Sequence, residues 1–185
     1  MASPDKRWVL GPFSLVTEQL TVRAFTQADI VPEYLGWLND RQYMRYSNQR
    51  FHGHTQTSVM AYLSDFDSAR SAFLALELRA TRQLAGTATV FASPEHGTAD
   101  IGILIGSQFQ GRGLAREAVG SIADALADQG FRKVTIGTSA KNVGMRRVIE
   151  ALDFEPDGVK VRHELIDGEE TDVVYFARFT TPQDA

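Results

Sequence analysis

The sequence predicts an α/β fold, with one mixed, mostly antiparallel, twisted sheet of about seven strands flanked by about four helices. Three observations predict it. Strand-like runs of alternating or β-branched residues are spread from Thr17 to Phe179 rather than gathered at one end. Between them lie stretches with helical spacing, the clearest being Leu114, Ala118, Ile122 and Leu126 on one face, with Ala115, Val119 and Ala123 beside it. Some strands are joined by short turns and others by helices, so antiparallel and parallel neighbours must share one sheet. At 185 residues, one domain is the default, and 43% apolar with 23% charged residues is ordinary for a globular chain.

The elements follow in order. Residues 1–12 have no period and read as a flexible arm, with the domain over 13–182. Thr17 to Phe25 alternates and reads as one strand. Thr26 or Asp29 can open the next helix, with Ile30, Tyr34, Trp37 and Leu38 on one side. A polar and aromatic segment, Asn39 to His54, precedes a helix capped by Thr55, whose face is Val59, Tyr62, Leu63 and Phe66. Phe73–Leu78 and Leu84–Phe91 form a hairpin, and Thr98–Gly106 is an isoleucine-rich strand ending at glycine. A helix from Leu114 ends at Gly130. Lys133–Thr138 is a strand, and Asn142 opens a helix with Met145, Val148, Ile149 and Leu152 on its apolar side. Val159–Leu165 and Thr171–Phe179 flank the turn pair Asp167-Gly168.

Composition excludes several functions. There is no cysteine, so no disulfide, thiolate metal site or cysteine nucleophile exists, and an acyl transfer must be direct or use another residue. No apolar run reaches the 18 or so residues of a membrane helix, and Met1–Trp8 lacks a signal-peptide core, which makes the cytoplasm the expected compartment. A net charge of −4 argues against general nucleic-acid binding and mildly favours a cationic partner. His52 and His54 without a third ligand do not make a metal site, so none is expected.

The chemistry-bearing segment is Gln108 to Ala118. Gly111 and Gly113 fall at a strand-to-helix junction, where unpaired amides and the positive end of the helix dipole can hold an anion. Arg112 and Arg116 in that first turn oppose the dipole unless a polyanion is bound.

Gln110-Gly-Arg-Gly-Leu-Ala115 resembles the Gln/Arg-x-x-Gly-x-Gly/Ala pyrophosphate loop of the GNAT superfamily of N-acetyltransferases. Phe109 to Ala118 looks like the form in the Rim-type branch, which acetylates ribosomal-protein N-termini. Asn142 to Phe154 resembles the family's second cofactor segment, and Leu20–Phe25 with Tyr34–Asp40 the branch's amino-terminal signature. The likeness spans residues 17–180.

The resemblance implies a single GNAT-type domain that uses acetyl-CoA as acyl donor, by direct attack of a primary amine in a ternary complex. Gln110, Gly111, Arg112, Gly113, Leu114 and Ala115 would hold the pyrophosphate. Ile103, Leu104 and Ile105 would carry the pantetheine arm like an added strand, with Asn142 bonding it from the facing helix. Asn142 is equally a plain helix cap. Asp100 stands where Rim-type relatives often have a carboxylate and is the expected base, with a structural role at the strand end equally open to it and Glu95 and His96 as weaker alternatives. Tyr43, Tyr46, Arg50 and His54 would form an acceptor wall for a peptide N-terminus, small amine or amino sugar. The expected assembly is a monomer or homodimer.

The sequence also departs from the family. Many relatives have a tyrosine seven residues after the helix asparagine as acid to the thiolate, and here that residue is Ile149. Met145 replaces a frequent serine, and Asp153 replaces the glycine before the closing Phe154. A non-catalytic acyl-CoA sensor is therefore an alternative. A nucleotide-binding oxidoreductase is less favoured, because Arg116 occupies the third small-residue position of a dinucleotide fingerprint.

Overall fold

A computed structural model describes residues 10–180. Among these residues, eight strands, β1 (Ser14–Val16), β2 (Leu20–Ala24), β3 (Ser71–Leu78), β4 (Leu84–Ser93), β5 (Thr98–Ile105), β6 (Lys133–Ser139), β7 (Glu155–Ile166) and β8 (Glu169–Phe179), form one sheet in the order β1-β2-β3-β4-β5-β6-β8-β7, and four α-helices cover it. Every neighbouring pair is antiparallel except β5–β6, which is parallel.

The strand beyond the expected seven lies before the first expected one. Instead of a single strand over 17–25, β1 (Ser14–Val16) and β2 (Leu20–Ala24) pair as a hairpin. Its turn is held from a distance. The Glu117 carboxylate accepts the Thr17 hydroxyl, the amide of Gln19 at 2.6 Å and that of Leu20 at 3.2 Å. Burial pushes the Glu117 carboxyl up, but these bonds outweigh it and hold it below its ordinary value.

The first helix also starts later than expected. Thr26 and Asp29 cap only a short 3₁₀ turn, Gln27–Asp29, and α1 begins at Pro32 and runs to Asn39. Proline suits a helix's first position but disfavours helical backbone in the residue before it, so the turn cannot run on. Asp29 is buried and ion-paired to Arg23 at 2.7 Å, and Arg23 also reaches buried Glu77 at 2.9 Å, which fixes the 3₁₀ turn against the sheet.

The other elements fall close to expectation. Thr55 caps α2 (Gln56–Ser64), its hydroxyl accepting the Ser58 amide at 3.2 Å. β3 (Ser71–Leu78) and β4 (Leu84–Ser93) are the hairpin, followed by β5 (Thr98–Ile105), α3 (Leu114–Asp128), β6 (Lys133–Ser139) and α4 (Val143–Glu150). β7 (Glu155–Ile166) and β8 (Glu169–Phe179) join through Asp167 and Gly168, both at positive φ (53° and 84°), as a two-residue primed turn requires.

α3 packs on β2, β5 and β6, burying Leu114, Ala118, Ile122 and Leu126 as the periodicity predicts. α4 packs on β6 and α3. Trp37 and Tyr34 of α1 meet Phe25 and Phe109, while Tyr62 of α2 and Phe66, just past its end, lie against Phe73. Residues 1–9 of the expected arm, and 181–182 at the expected domain end, lie outside the described residues. Leu10 is buried and bonded to the Ala69 carbonyl, and the Gly11 amide donates to Gln129, so the domain holds the chain before residue 13.

Candidate active site

β5 and β6 pair only at Thr98–Lys133, Ala99–Val134 and Asp100–Thr135. Beyond that point β5 continues against β4 alone and β6 against β8 alone. The facing edges of Ile101–Ile105 and Ile136–Ser139 therefore open a slot in the middle of the sheet. A cavity of about 740 Å³ occupies it. Gly102, Ile103 and Leu104 line one side, and Ile136 to Ser139 with Asn142 and Met145 the other.

Asp100 sits at the apex. Its carboxylate accepts the Thr135 hydroxyl at 2.6 Å. Burial raises its pKa above the ordinary value, and the Thr135 bond opposes that without cancelling it. Of the alternatives, Glu95 is ion-paired to Arg70 at 2.6 Å, and neither Glu95 nor His96 lines the cavity.

The glycine junction takes the form an anion site needs. Gly111 (φ 73°) and Gly113 (φ 80°) are both left-handed, and a Cβ at either would meet no protein atom within 4 Å. Glycine is demanded here by the backbone conformation rather than by crowding. Gly113 caps α3 without a side chain, and the Glu117 amide is the first of the helix to find a carbonyl. From Gly111 to Arg116 no amide has an acceptor among the described residues. Arg112 and Arg116 are exposed beside them. This turn, with the unpaired edge of β5, can hold a phosphate-bearing chain.

Of the two roles the sequence left open for Asn142, the cap is seen, and the residue also lines the cavity. Its Oδ1 accepts the Met145 amide at 3.1 Å, and its side-chain nitrogen has no acceptor among the described residues. Ile149 is fully buried and does not line the cavity, where α4 contributes Met145 instead. Asp153 adopts φ 57°, the left-handed backbone that glycine would supply, which Asp tolerates better than most residues.

The expected acceptor wall is divided. Tyr46 and His54 line the cavity. Tyr43 does not: its hydroxyl donates to the Ile105 carbonyl, and burial pushes its pKa up to about 12. That bond removes the Ile105 carbonyl from the free edge, leaving Ile103 and Leu104 to face the slot. Arg50 lies outside the cavity and bonds the carbonyls of Ser47 (2.8 Å) and Leu165 (2.9 Å).

Tyr175 and Glu164 are among the cavity residues that the sequence did not mark as part of the site. Tyr175 of β8 stands opposite Gly137 of β6, where a Cβ would come within 2.8 Å of the Tyr175 ring. Glu164 of β7 also lines the cavity, and its Oε2 is buried with no partner among the described residues. Strand parity was the available signal for Tyr175, since Val173 and Tyr175 share a face and both reach the cavity. Nothing local marked Glu164, which lies at a register shift in β7.

The profile of the acetyltransferase (GNAT) domain family matches residues 19–155. The chain belongs to the GNAT acetyltransferase family. No curated protein matches the sequence. Among solved GNAT-type structures, a ribosomal L7/L12 α-N-protein acetyltransferase (RimL) in complex with coenzyme A is 17% identical with a TM-score of 0.79, covering 92% of this chain and 97% of that one. The microcin C7 self-immunity acetyltransferase MccE, in complex with acetyl-CoA and AMP, is 16% identical (TM-score 0.79; 92% and 98% covered). A spermidine N-acetyltransferase from Vibrio cholerae, with CoA and spermine, is 20% identical (TM-score 0.77; 88% and 96%). The GNAT fold is thus shared over nearly the whole chain. Among the described residues, no helix is long and apolar enough to cross a membrane.

Proposed function

We propose that the protein is an acetyl-CoA-dependent N-acetyltransferase that moves the acetyl group to a primary amine by direct attack. The observation that carries this is the abrupt end of β5–β6 pairing at Asp100–Thr135, which opens a polar slot beside a row of free amides. In this reading the amides from Gly111 to Ala115, with Arg112, hold the pyrophosphate. Ile103 and Leu104 offer their unpaired edge to the pantetheine arm, and the Asn142 amide donates to it. The solved structures of similar fold support the donor, since they were obtained with coenzyme A or acetyl-CoA. Two of them are named for amine acceptors, a protein N-terminus and spermidine.

The amine must be neutral to attack the thioester carbon. Asp100 accepts its proton, directly or through water, and burial makes this carboxylate a better base than an exposed one. As the carbon–sulfur bond breaks, Tyr175, whose hydroxyl has no partner among the described residues, donates a proton to the departing sulfur. Tyr46 and His54 orient the acceptor.

A second assignment of the base rests on a specific observation. Thr135 already occupies Asp100, whereas Glu164 keeps a buried, unpartnered oxygen in the same cavity. A cationic amine would relieve that cost. The experiment is a screen of acetyl-CoA turnover over peptide, polyamine, amino-acid and amino-sugar acceptors, followed by free thiol. Turnover that requires an amine supports the transferase, and binding without turnover supports the sensor.

A further inference from the structure

Beside the cavity, Arg41, Arg45, Arg50, Phe51 and Asp167 line a separate recess of about 280 Å³. Three guanidiniums face one carboxylate. Arg45 pairs with Asp167 at 2.5 Å, yet its Nε is buried without a partner among the described residues. Arg50 spends its donors on two backbone carbonyls, and its guanidinium lies 4.2 Å over the exposed Phe51 ring. Arg41 is exposed, with no ion pair or hydrogen bond among the described residues. Two positive charges are left in excess in a concave, aromatic-floored recess, on a chain whose net charge is −4.

The recess adjoins the cavity through bonded and neighbouring residues, although no residue lines both. Arg50 bonds Ser47, which lines the cavity, and Leu165, the neighbour of cavity-lining Glu164; Arg45 precedes cavity-lining Tyr46. The segment from Arg41 to Phe51 is thereby tied to the end of β7 and the β7–β8 turn, through Arg50–Leu165 and Arg45–Asp167.

From this arrangement we infer that the recess is the anion subsite of the acceptor, and that the acceptor is a primary amine carrying a phosphoryl group. The amine enters the cavity and the phosphate rests on the arginines. Two excess positive charges match a phosphate dianion, and guanidiniums suit its oxygens geometrically. The proposal rests on the acetyl-transfer reading for the amine end only.

The same chemistry would suit a phosphate of the donor, so the test separates the two sources. Inorganic phosphate, O-phosphoethanolamine and glucosamine 6-phosphate are titrated calorimetrically into the protein, alongside ethanolamine and glucosamine. At least one phosphorylated amine is expected to bind tenfold or more tightly than its parent, with Arg41→Ala and Arg45→Ala each cutting that ratio severalfold. No preference for the phosphorylated partner, or a preference that neither variant changes, overturns the subsite. Acetyl-CoA and dephospho-acetyl-CoA are titrated in parallel. If the arginine variants weaken acetyl-CoA but not its dephospho form, the recess serves the donor, which also overturns the proposal. A protein that binds phosphorylated amines in this way and never consumes acetyl-CoA keeps the subsite and loses the acetyl-transfer reading.

Discussion

Asp100 and Thr135 are the last paired residues of β5 and β6, and the Thr135 hydroxyl donates to the Asp100 carboxylate at 2.6 Å across that final rung. The bond marks the apex of the slot and fixes the orientation of the carboxylate beneath it. Removing the hydroxyl removes the one influence that lowers the Asp100 pKa. Thr135→Val is expected to raise that pKa further and to move the acidic limb of kcat/KM to higher pH, which a pH–rate profile measures.

For Asp100→Asn, stability and activity are expected to part. A carboxyl whose folded pKa is raised binds more protons folded than unfolded between its two pKa values, so it loses stability as pH rises through that window. Above the window the full cost is present, and Asp100→Asn is expected to melt at an equal or higher temperature at neutral pH. Its advantage should vanish below the unfolded carboxylate pKa of about 3.9. Turnover should fall by roughly 10²–10⁴-fold, the usual worth of a general base. A melting curve and kcat on one preparation check both, and full turnover near neutral pH rejects Asp100 as the base.

Glu164→Gln separates the two carboxylates. If Glu164 takes the proton, its loss carries the roughly 10²–10⁴-fold fall in kcat and Asp100→Asn does not. If Glu164 only receives the acceptor's charge, KM for the amine rises while kcat holds. Steady-state kinetics in the amine distinguish the cases.

The glycine junction is tested by Gly113→Ala. At φ 80° a Cβ strains the backbone by about 1–2 kcal/mol even though no protein atom lies in its way. The same methyl enters the space beside the free amides, so acetyl-CoA affinity is expected to fall about tenfold, near 1.4 kcal/mol. Denaturation and calorimetry check the two effects; unchanged affinity in the folded variant removes the phosphate site.

Asn142→Asp keeps a cap oxygen for the Met145 amide and loses the free amide donor. Its melting temperature should stay near that of the parent while KM for acetyl-CoA rises severalfold. Asn142→Ala should also cost about 0.5–2 kcal/mol as the cap is lost. If Asn142→Asp changes neither quantity, Asn142 is a cap alone.

What could be read from sequence was what neighbours in the chain decide. Gly111 and Gly113, the α3 periodicity, the Thr55 cap and the Asp167-Gly168 turn are local, and each stands in the structure. What could not be read depends on distant partners. Thr17 to Leu20 is a turn because Glu117 holds it, and Asp29 caps a 3₁₀ turn while paired to Arg23. Pro32 is the exception, since its restriction of the preceding residue can be read from the sequence alone. The catalytic end was the least legible. Tyr175 and Glu164 line the same cavity as Asp100 only because β8 pairs with β6 and β7 with β8, and Tyr43 bonds the Ile105 carbonyl instead of lining the cavity.

The central claim is that the slot above Asp100–Thr135 joins acetyl-CoA to an amine, and free thiol release from acetyl-CoA tests it most directly. With the acceptor panel present, the account predicts thiol release that depends on an amine, matched one for one by an N-acetylated product in the mass spectrum, and severely reduced in Asp100→Asn or Glu164→Gln. Tight binding of acetyl-CoA with no amine-dependent thiol release from any acceptor would contradict it.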